Sequence, residues 1–283
     1  MSKSSKRLFF YSAVAVFLLL SYVVILYAQG YKYSFSEGKF QRTGAISLKS
    51  NTGARVYLDD KLQGDTSFFG SAYSIDGLLP GTYRLNVQKD DYSFWQKTVV
   101  VEEGLVADFP NILLLPEEGE DEQKLFDEVE LLFKELQPMP TISPTPQPRK
   151  DRPSPSPTPE LTDPFLLNTK ENKLYRNTNQ QLEEVATGVI GFRLSENENK
   201  LVWWTSNEIW VLWLNDQNYQ PFHKKEEKEL ITRLSQTIQN ATWFRGEDHI
   251  ILELEAKDSK GRPYSIYKVI EIDKRGGVNI VEL

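Results

Sequence analysis

The sequence predicts a mainly β protein that is attached to a membrane by one N-terminal helix. Three observations support this fold class. Residues 8–28 form one long apolar run, short strand-like runs alternate with turn residues on both sides of a proline-rich stretch, and residues 118–137 have helical periodicity. We therefore expect a transmembrane helix, a small β-sandwich, a short amphipathic helix, a proline-rich linker and a partial set of β-propeller-like repeats, in that order.

The composition excludes several classes of protein before any motif is considered. The 283 residues include 33 Lys and Arg against 40 Asp and Glu, so the net charge is −7 and nucleic acid is not an expected partner. Cys is absent, which excludes disulfides, thiolate metal sites and cysteine nucleophiles. The two histidines, His223 and His249, share no metal-ligand spacing. We therefore expect no catalytic residues, no metal site and no cofactor.

The N-terminal apolar run is long enough to cross a membrane. Residues 8–28 carry no charge, and a helix that rises about 1.5 Å per residue covers a hydrocarbon core of roughly 30 Å over this length. The run is also longer than the apolar part of a cleaved signal peptide, which is the alternative, and Leu26 disfavours cleavage after Ala28. We therefore expect an uncleaved anchor, marked by Leu8, Phe17, Leu20 and Ala28.

Basic residues flank the apolar run on both sides and are balanced in number. Lys3, Lys6 and Arg7 precede it, and a similar set follows it, namely Lys32, Lys39 and Arg42. A short basic tail ahead of a long C-terminal body is the usual layout of a signal anchor whose body is exported. We expect residues 1–7 in the cytoplasm and the body outside it.

Residues 43–116 alternate short strand-like runs with turn residues, as a small all-β domain does. The strand-like runs are residues 45–48, 55–58, 83–88, 95–101 and 108–115. Asp59 and Asp60 form a polar reversal after the second run, and Pro80 and Gly81 precede the third. These residue types indicate turns, and their spacing lacks the ligand order of a calcium loop.

Several segments of this domain resemble the PEGA domain of bacterial envelope proteins over residues 43–115. The resemblance rests on Gly53 and Ala54 before the strand RVYL, on Pro80, Gly81 and Tyr83 in the turn LPGTY, and on Tyr92 and Trp95 further along. It implies a β-sandwich interaction module without catalysis, in which these residues have structural roles. Members of this family commonly lie behind a membrane anchor.

Residues 118–137 change from strand periodicity to helix periodicity. Leu125, Val129, Leu132 and Leu136 recur at positions i, i+4, i+7 and i+11, and Pro138 ends the pattern. We expect this acidic amphipathic helix to lie on the sheet of the first domain. Self-association through the apolar stripe is the alternative.

Residues 138–162 have the composition of an extended linker. Nine of the 15 prolines lie between Pro138 and Pro159, together with Ser and Thr and almost no apolar side chains. In a polyproline II helix this stretch would extend up to roughly 70 Å. We expect a spacer that separates two folded bodies, with recognition by a proline-binding module as the alternative.

Residues 163–283 return to the strand pattern and contain a weak internal repeat. Two sets of four runs line up at a spacing of about 49 residues, namely 192–195, 200–204, 208–214 and 230–234 with 242–245, 249–252, 264–272 and 279–283. Runs at 173–176 and 183–186 fit the outer half of an earlier repeat. Four short strands per repeat are typical of propeller blades, and the region resembles TolB-like and WD40-like propeller repeats. The resemblance implies an incomplete propeller-like domain.

The tryptophans of this region have two interpretations. Trp203, Trp204, Trp210, Trp213 and Trp243 either fill the space between packed sheets or stack on sugar rings. Continuous apolar runs such as WVLWL favour burial. Because two repeats and part of a third do not close a ring, we also expect aliphatic and aromatic side chains to be exposed at one flank.

These features predict a membrane-anchored, extracytoplasmic protein of the bacterial cell envelope that binds or scaffolds other molecules and is not an enzyme. The expected partners are the lipid bilayer and an envelope protein or polysaccharide. One alternative is the binding of cell-wall carbohydrate or peptidoglycan through exposed aromatic side chains. Another is an enzyme with two carboxyl groups about 5 to 9.5 Å apart in one pocket.

Overall fold

The computed structural model describes residues 3–66, 72–141 and 163–283, and the chain divides into two compact units, Met1–Leu114 and Leu115–Leu283. Strands account for more of the described residues than helices do in both units. An apolar helix begins the first unit, and a second helix lies in the second unit. The predicted mainly β class with an N-terminal apolar helix is confirmed.

The first helix, α1 (Lys3–Ala28), contains the whole predicted anchor. The segment Ser5–Ala28 is long and apolar enough to cross a membrane. The helix ends where Gly30 takes a left-handed backbone conformation with φ of +82°, which glycine adopts without steric cost. A short hairpin follows, formed by β1 (Tyr31–Ser34) and β2 (Lys39–Arg42).

Two sheets pack around one core in the rest of the first unit. Their strands are β3 (Gly44–Ser50), β4 (Arg55–Leu58), β5 (Lys61–Asp65), β6 (Tyr73–Leu78), β7 (Gly81–Gln88), β8 (Trp95–Val101) and β9 (Val106–Ile112). One sheet has the order β6-β3-β9, with β3 and β9 parallel, and the other has the antiparallel order β5-β4-β7-β8. All five predicted strand-like runs of this region coincide with strands.

The alternation of buried and exposed residues explains why these strands form. In β8 every second side chain is buried, beginning with Trp95 and ending with Val101. Ile46 and Leu48 of β3 face the same core from the opposite sheet. The predicted reversal at Asp59 and Asp60 is a two-residue hairpin turn, and both residues have a positive φ.

The second unit contains three antiparallel sheets, and in each of them neighbouring strands follow one another in the chain. The first sheet consists of β10 (Phe165–Asn168), β11 (Lys173–Thr178) and β12 (Gln181–Thr187). The second consists of β13 (Gly191–Leu194), β14 (Lys200–Trp204), β15 (Glu208–Trp213) and β16 (Lys228–Arg233). The third consists of β17 (Ile238–Trp243), β18 (His249–Lys257), β19 (Pro263–Glu271) and β20 (Ile280–Glu282). Within the described residues these sheets do not form a closed ring.

The internal repeat is visible in the backbone hydrogen bonds. The N–H of Ser195 donates to the carbonyl of Lys200 at 2.8 Å, and the N–H of Phe244 donates to the carbonyl of His249 at 3.0 Å. Both residues of the second bond lie 49 positions after their counterparts in the first. The predicted pairing of eight strand-like runs therefore corresponds to two consecutive four-stranded sheets.

The middle sheet is buried on both faces, which explains its continuous apolar runs. In β14, Leu201 and Trp203 belong to the core shared with the first sheet, while Val202 and Trp204 belong to the core shared with the third. Trp203, Trp204 and Trp213 are 4%, 1% and 1% exposed, so burial is the correct interpretation for these three tryptophans.

Helix α2 (Gly119–Glu135) packs on the third sheet of the second unit. The rings of Phe126 and Phe133 each lie 5.5 Å from the ring of Tyr267 on β19, and Arg245 forms an ion pair with Glu128 at 2.8 Å. The expectation that this helix lies on the sheet of the first domain is therefore wrong. The physical reason is that the apolar stripe of the helix finds an aromatic partner on β19, where Tyr267 packs against both phenylalanines.

This helix covers part of the flank that was expected to be exposed, while Tyr264 and Ile280 of the third sheet remain 53% and 41% exposed. Tyr267 and Val269 lie on one face of β19 and are only 6% and 3% exposed. Leu125 and Val129 on the helix are buried as well. Helix α2, which precedes all three sheets in the chain, thus covers the third sheet at these positions.

The residues after the helix join the first sheet at its edge strand β10. Pro140 accepts a hydrogen bond from the N–H of Leu167 at 2.9 Å, and Thr141 pairs with Leu167 in parallel. Met139 packs against the two cores of the second unit, and its sulfur accepts the N–H of Phe192 at 3.2 Å.

Most of the predicted linker, residues 142–162, lies outside the described residues. The described residues on both of its sides belong to the second unit, because Thr141 pairs with Leu167 and β10 begins at Phe165. The expectation that this stretch separates two folded bodies is therefore wrong, and the two units meet in sequence at Leu114 and Leu115. The apolar residues of α2 and Met139 place this segment with the second unit.

Candidate functional site

The predicted anchor residues are distributed along α1 and do not form a site. Leu8, Phe17 and Leu20 are 69%, 67% and 57% exposed, and Ala28 is the last residue of the helix. A long helix with apolar side chains exposed all round is the surface that a lipid environment covers.

The residues that carry the PEGA resemblance lie in the core and turns of the first unit. Ala54 and Trp95 are 6% and 2% exposed, and the Trp95 ring meets that of Phe109 at 5.5 Å. Gly53 lies between β3 and β4, and Pro80 and Gly81 form the turn into β7. These residues hold turns and pack the core.

The two tyrosines of the same group are held by specific contacts. Tyr83 donates a hydrogen bond to the carbonyl of Leu79 at 2.8 Å, and burial together with the charge of Asp59 raises its pKa. Lys89 lies over the ring of Tyr92 at 3.6 Å from the ring centroid. Both contacts fix the ends of β7, which is a structural role.

The strongest candidate site is a cleft in the second unit that sequence analysis did not predict. It has a volume of about 270 Å³, close to the smaller ligand pockets of proteins. The turn before β14, the loop between β15 and β16 and the turn before β18 contribute its walls. Its lining residues are Asn199, Lys200, Trp213, Asn215, Asp216, Gln217, Asn218, Tyr219 and Glu247.

A buried lysine fixes the floor of the cleft. Lys200 is the first residue of β14 and is 2% exposed. Its ammonium donates to Asp248 Oδ1 at 2.9 Å and to the carbonyl of Glu247 at 3.1 Å. The lysine therefore joins the second and third sheets. Because Asp248 compensates its charge, the lysine is not a free cation for an anionic ligand.

The loop between β15 and β16 folds over a buried indole. Trp213 stacks on His223 with a centroid distance of 3.7 Å and donates to Gln217 Oε1 at 3.2 Å. Gln217 in turn donates through its side chain to the carbonyl of Pro221 at 2.6 Å. These contacts hold the loop in one conformation and bring Asn218 and Tyr219 to the cleft.

Tyr219 provides the aromatic surface of the cleft. Its side chain is 42% exposed, and its hydroxyl lies 3.4 Å from the ammonium of Lys200. Burial and the nearby charge of Asp248 raise the pKa of Tyr219, so the phenol stays protonated at neutral pH and can donate a hydrogen bond. Phe222 of the same loop is 68% exposed.

Carboxamides supply four of the polar side chains of the cleft, namely those of Asn199, Asn215, Gln217 and Asn218. Asn215 donates to Asn199 Oδ1 at 2.9 Å, and Asn199 donates towards the carboxylate of Glu247 at 3.4 Å. Carboxamides with a partly exposed aromatic ring suit an uncharged ligand with several hydroxyl or amide groups. Across residues 3–66, 72–141 and 163–283, no group of His, Cys, Asp and Glu could hold a metal ion.

The residues of this cleft come together only through tertiary packing. Asn215 to Tyr219, with the sequence NDQNY, form a polar run in a long connection between two predicted strands, and this run is the one pattern that points to the site. The other walls come from two turns that are distant in sequence, since Asn215 and Asn199 are 16 residues apart and Lys200 and Asp248 are 48 residues apart.

No family model matches the sequence, and no curated protein matches it.

Proposed function

We propose that this chain is a membrane-anchored, non-catalytic binding and scaffold protein of the bacterial cell envelope, with its body outside the cytoplasm. The observation that carries the proposal is the combination of an apolar helix exposed all round with two β units, one of which presents an open polar cleft. The short basic tail ahead of the helix supports the orientation.

The two units are proposed to be a PEGA-like sandwich and an open arc of propeller-like blades. The turn and core positions of Pro80, Tyr83 and Trp95 support the first assignment. Two consecutive four-stranded sheets with hydrogen bonds repeated 49 residues apart support the second. In this arrangement α2 would cap the last blade, as a terminal cap does in repeat proteins.

The carboxylates of the cleft favour binding over catalysis. Asp216 accepts the backbone N–H of Lys225 at 2.8 Å, and this bond, together with the charge of Lys224, lowers the pKa of Asp216. A general acid needs a raised pKa to hold its proton at neutral pH. Asp216 is therefore not suited to be the acid that a hydrolase needs.

A second candidate function is the binding of neutral cell-wall carbohydrate, and the cleft specifically favours it. The phenol ring of Tyr219 offers an apolar face, and the neighbouring carboxamides offer donors and acceptors for hydroxyl groups. Trp203, Trp204 and Trp213 do not serve this function, because they are buried. The aromatic residues of a carbohydrate site would be Tyr219 and Phe222.

Binding measurements on the full chain in lipid nanodiscs distinguish these candidates. Soluble peptidoglycan fragments are titrated by calorimetry into the natural protein, into Tyr219→Ala and into the control Tyr264→Ala, whose residue is 53% exposed on β19 and outside the cleft. A carbohydrate site predicts binding that Tyr219→Ala weakens by about tenfold and Tyr264→Ala leaves unchanged.

Capture of envelope proteins tests the scaffold function. The nanodisc-embedded chain is incubated with solubilised envelope extract, and partners are identified after crosslinking. Recovery of one envelope protein in stoichiometric amount, without sugar binding, supports a protein scaffold. Absence of both a protein partner and a sugar ligand contradicts the proposed binding function.

A further inference from the structure

The hairpin of β1 and β2 joins the end of α1 to the first unit and carries a row of aromatic side chains. The ring of Tyr27, on the last turn of α1, lies 6.4 Å from the ring of Phe40 on β2. Tyr33 on β1 lies 5.3 Å from Phe40 and 5.1 Å from Phe35 at the hairpin turn. The row therefore continues from the helix to the tip of the hairpin.

Hydrogen bonds fix the hairpin to the helix end. The backbone N–H and the hydroxyl of Thr43, the residue after β2, both donate to the carbonyl of Gly30 at 2.8 Å. This closes the base of the hairpin directly after the helix. Because β3 begins at Gly44, no long linker separates the helix from the sandwich.

The two faces of the hairpin differ in character. Tyr33 and Phe40 are cross-strand partners and share one face, while Lys32 lies on the other face of β1. Lys32 reaches the sandwich at Gly77, where an added Cβ would lie 2.9 Å from its ammonium. The aromatic face ends in Phe35, which is 92% exposed.

We propose that the aromatic face of this hairpin, formed by Tyr31, Tyr33, Phe35 and Phe40, lies in the interfacial layer of the membrane that α1 crosses. The inference rests on the proposed membrane anchor. Tyrosine rings favour the headgroup level, where the ring is partly desolvated and the hydroxyl stays hydrated, and a Phe beside them contacts the upper acyl chains. The partner is a lipid surface.

The position of the hairpin in the chain identifies lipid as its occupant. Phe35 follows the last residue of α1 by only seven positions, and each strand of four residues is about 13 Å long. The interfacial layer extends roughly 5 to 8 Å beyond each side of the hydrocarbon core. Because the Phe40 ring lies 6.4 Å from that of Tyr27 on the last turn of α1, the hairpin packs against the helix end and lies within reach of this layer. Its insertion would hold the first unit at a fixed distance from the bilayer.

Site-specific labelling tests the inference, because the chain contains no cysteine. Phe35→Cys is labelled with an environment-sensitive fluorophore, and the full chain is reconstituted into phosphatidylcholine vesicles that carry a nitroxide either near the headgroup or near the chain end. Leu62→Cys on β5, 57% exposed in the natural chain, is the control for an aqueous position in the same unit. Leu18→Cys in α1 reports whether the helix lies in the bilayer.

The fluorophore at position 35 is expected to show blue-shifted emission, and the headgroup nitroxide should quench most of this emission. The fluorophore at position 62 should keep the spectrum of an aqueous environment. Position 18 should be quenched by the nitroxide near the chain end. An aqueous spectrum at position 35 with a quenched position 18 overturns the hairpin inference alone. If position 18 is not quenched either, the membrane anchor is refuted and the inference falls with it.

Discussion

Lys200 Nζ lies 2.9 Å from Asp248 Oδ1 and joins two neighbouring sheets of the second unit, although the lysine is only 2% exposed. The aspartate retains more contact with water, since its side chain is 22% exposed. Removing one partner of such a pair leaves the other uncompensated, and the cost is greater for the more deeply buried partner.

Asp248→Ala is therefore expected to lower the free energy of unfolding of the second unit by about 3 kcal/mol, and Lys200→Met by clearly less. Five of the six tryptophans lie in this unit, so tryptophan fluorescence during thermal unfolding reports on it. Lys134→Met, which removes an exposed ion pair with Glu130, is the control and should leave the transition unchanged. If Asp248→Ala and Lys200→Met lowered the free energy of unfolding equally, this would contradict the conclusion that Lys200 is the more deeply buried partner.

Trp95→Ala should destabilise the first unit by about 3 to 5 kcal/mol, because the ring is 2% exposed and packs on Phe109 between the two sheets. Hydrogen exchange of the strands of the first unit measures the loss. The neighbouring residue provides a matched control, since Phe94 is 51% exposed and Phe94→Ala should cost less than about 0.5 kcal/mol. Similar protection of these strands from hydrogen exchange in Trp95→Ala and Phe94→Ala would show that Trp95 does not stabilise the core.

Phe133→Ala should weaken the docking of α2 on the third sheet. The Phe133 ring stacks on Tyr267 at 5.5 Å with an interplanar angle of 16°, and such a pair contributes about 1 kcal/mol beyond its buried area. Faster amide exchange in α2 and on β19 is the expected result. Leu131→Ala, at a position of the same helix that is 54% exposed, should leave exchange on β19 unchanged.

Cleavage within residues 142–162 tests whether the segment before this stretch belongs to the second unit. A specific protease site is inserted in the middle of the stretch, and the protein is cut in its folded state. Because Met139 and Thr141 contact the sheets on the other side of the cut, the two fragments should remain associated during size-exclusion chromatography. Separation of the fragments would instead support a spacer between independent bodies.

The strands could be predicted because their patterns are local. Alternation in β8 and the double-sided apolar run of β14 are visible in sequence, and turn residues such as Pro80 and Asp59 mark the ends of strands. The hairpin of β1 and β2 was missed because its strands are four residues long and mix aromatic with basic residues. Strands this short give a weak periodic pattern.

The partner of α2 and the cleft could not be predicted because they depend on contacts distant in sequence. The amphipathic stripe of α2 predicts that the helix packs on another element of the fold. That its partner is Tyr267 on β19 depends on which sheet face is not covered by a neighbouring sheet. Similarly, the NDQNY run forms one wall of a cleft only because Trp213 stacks on His223 and Lys200 pairs with Asp248. Gly191 is a further example, because an added Cβ there would lie 2.2 Å from the Trp204 ring.

Cysteine accessibility in intact cells tests the central claim of an anchored, outward-facing binding protein most directly. Since the natural chain has no cysteine, Tyr264→Cys on β19 and Ser5→Cys at the start of α1 can each be labelled alone with a membrane-impermeant maleimide. The account predicts labelling of Tyr264→Cys in intact cells or spheroplasts and labelling of Ser5→Cys only after permeabilisation. Protection of Tyr264→Cys together with labelling of Ser5→Cys would contradict it.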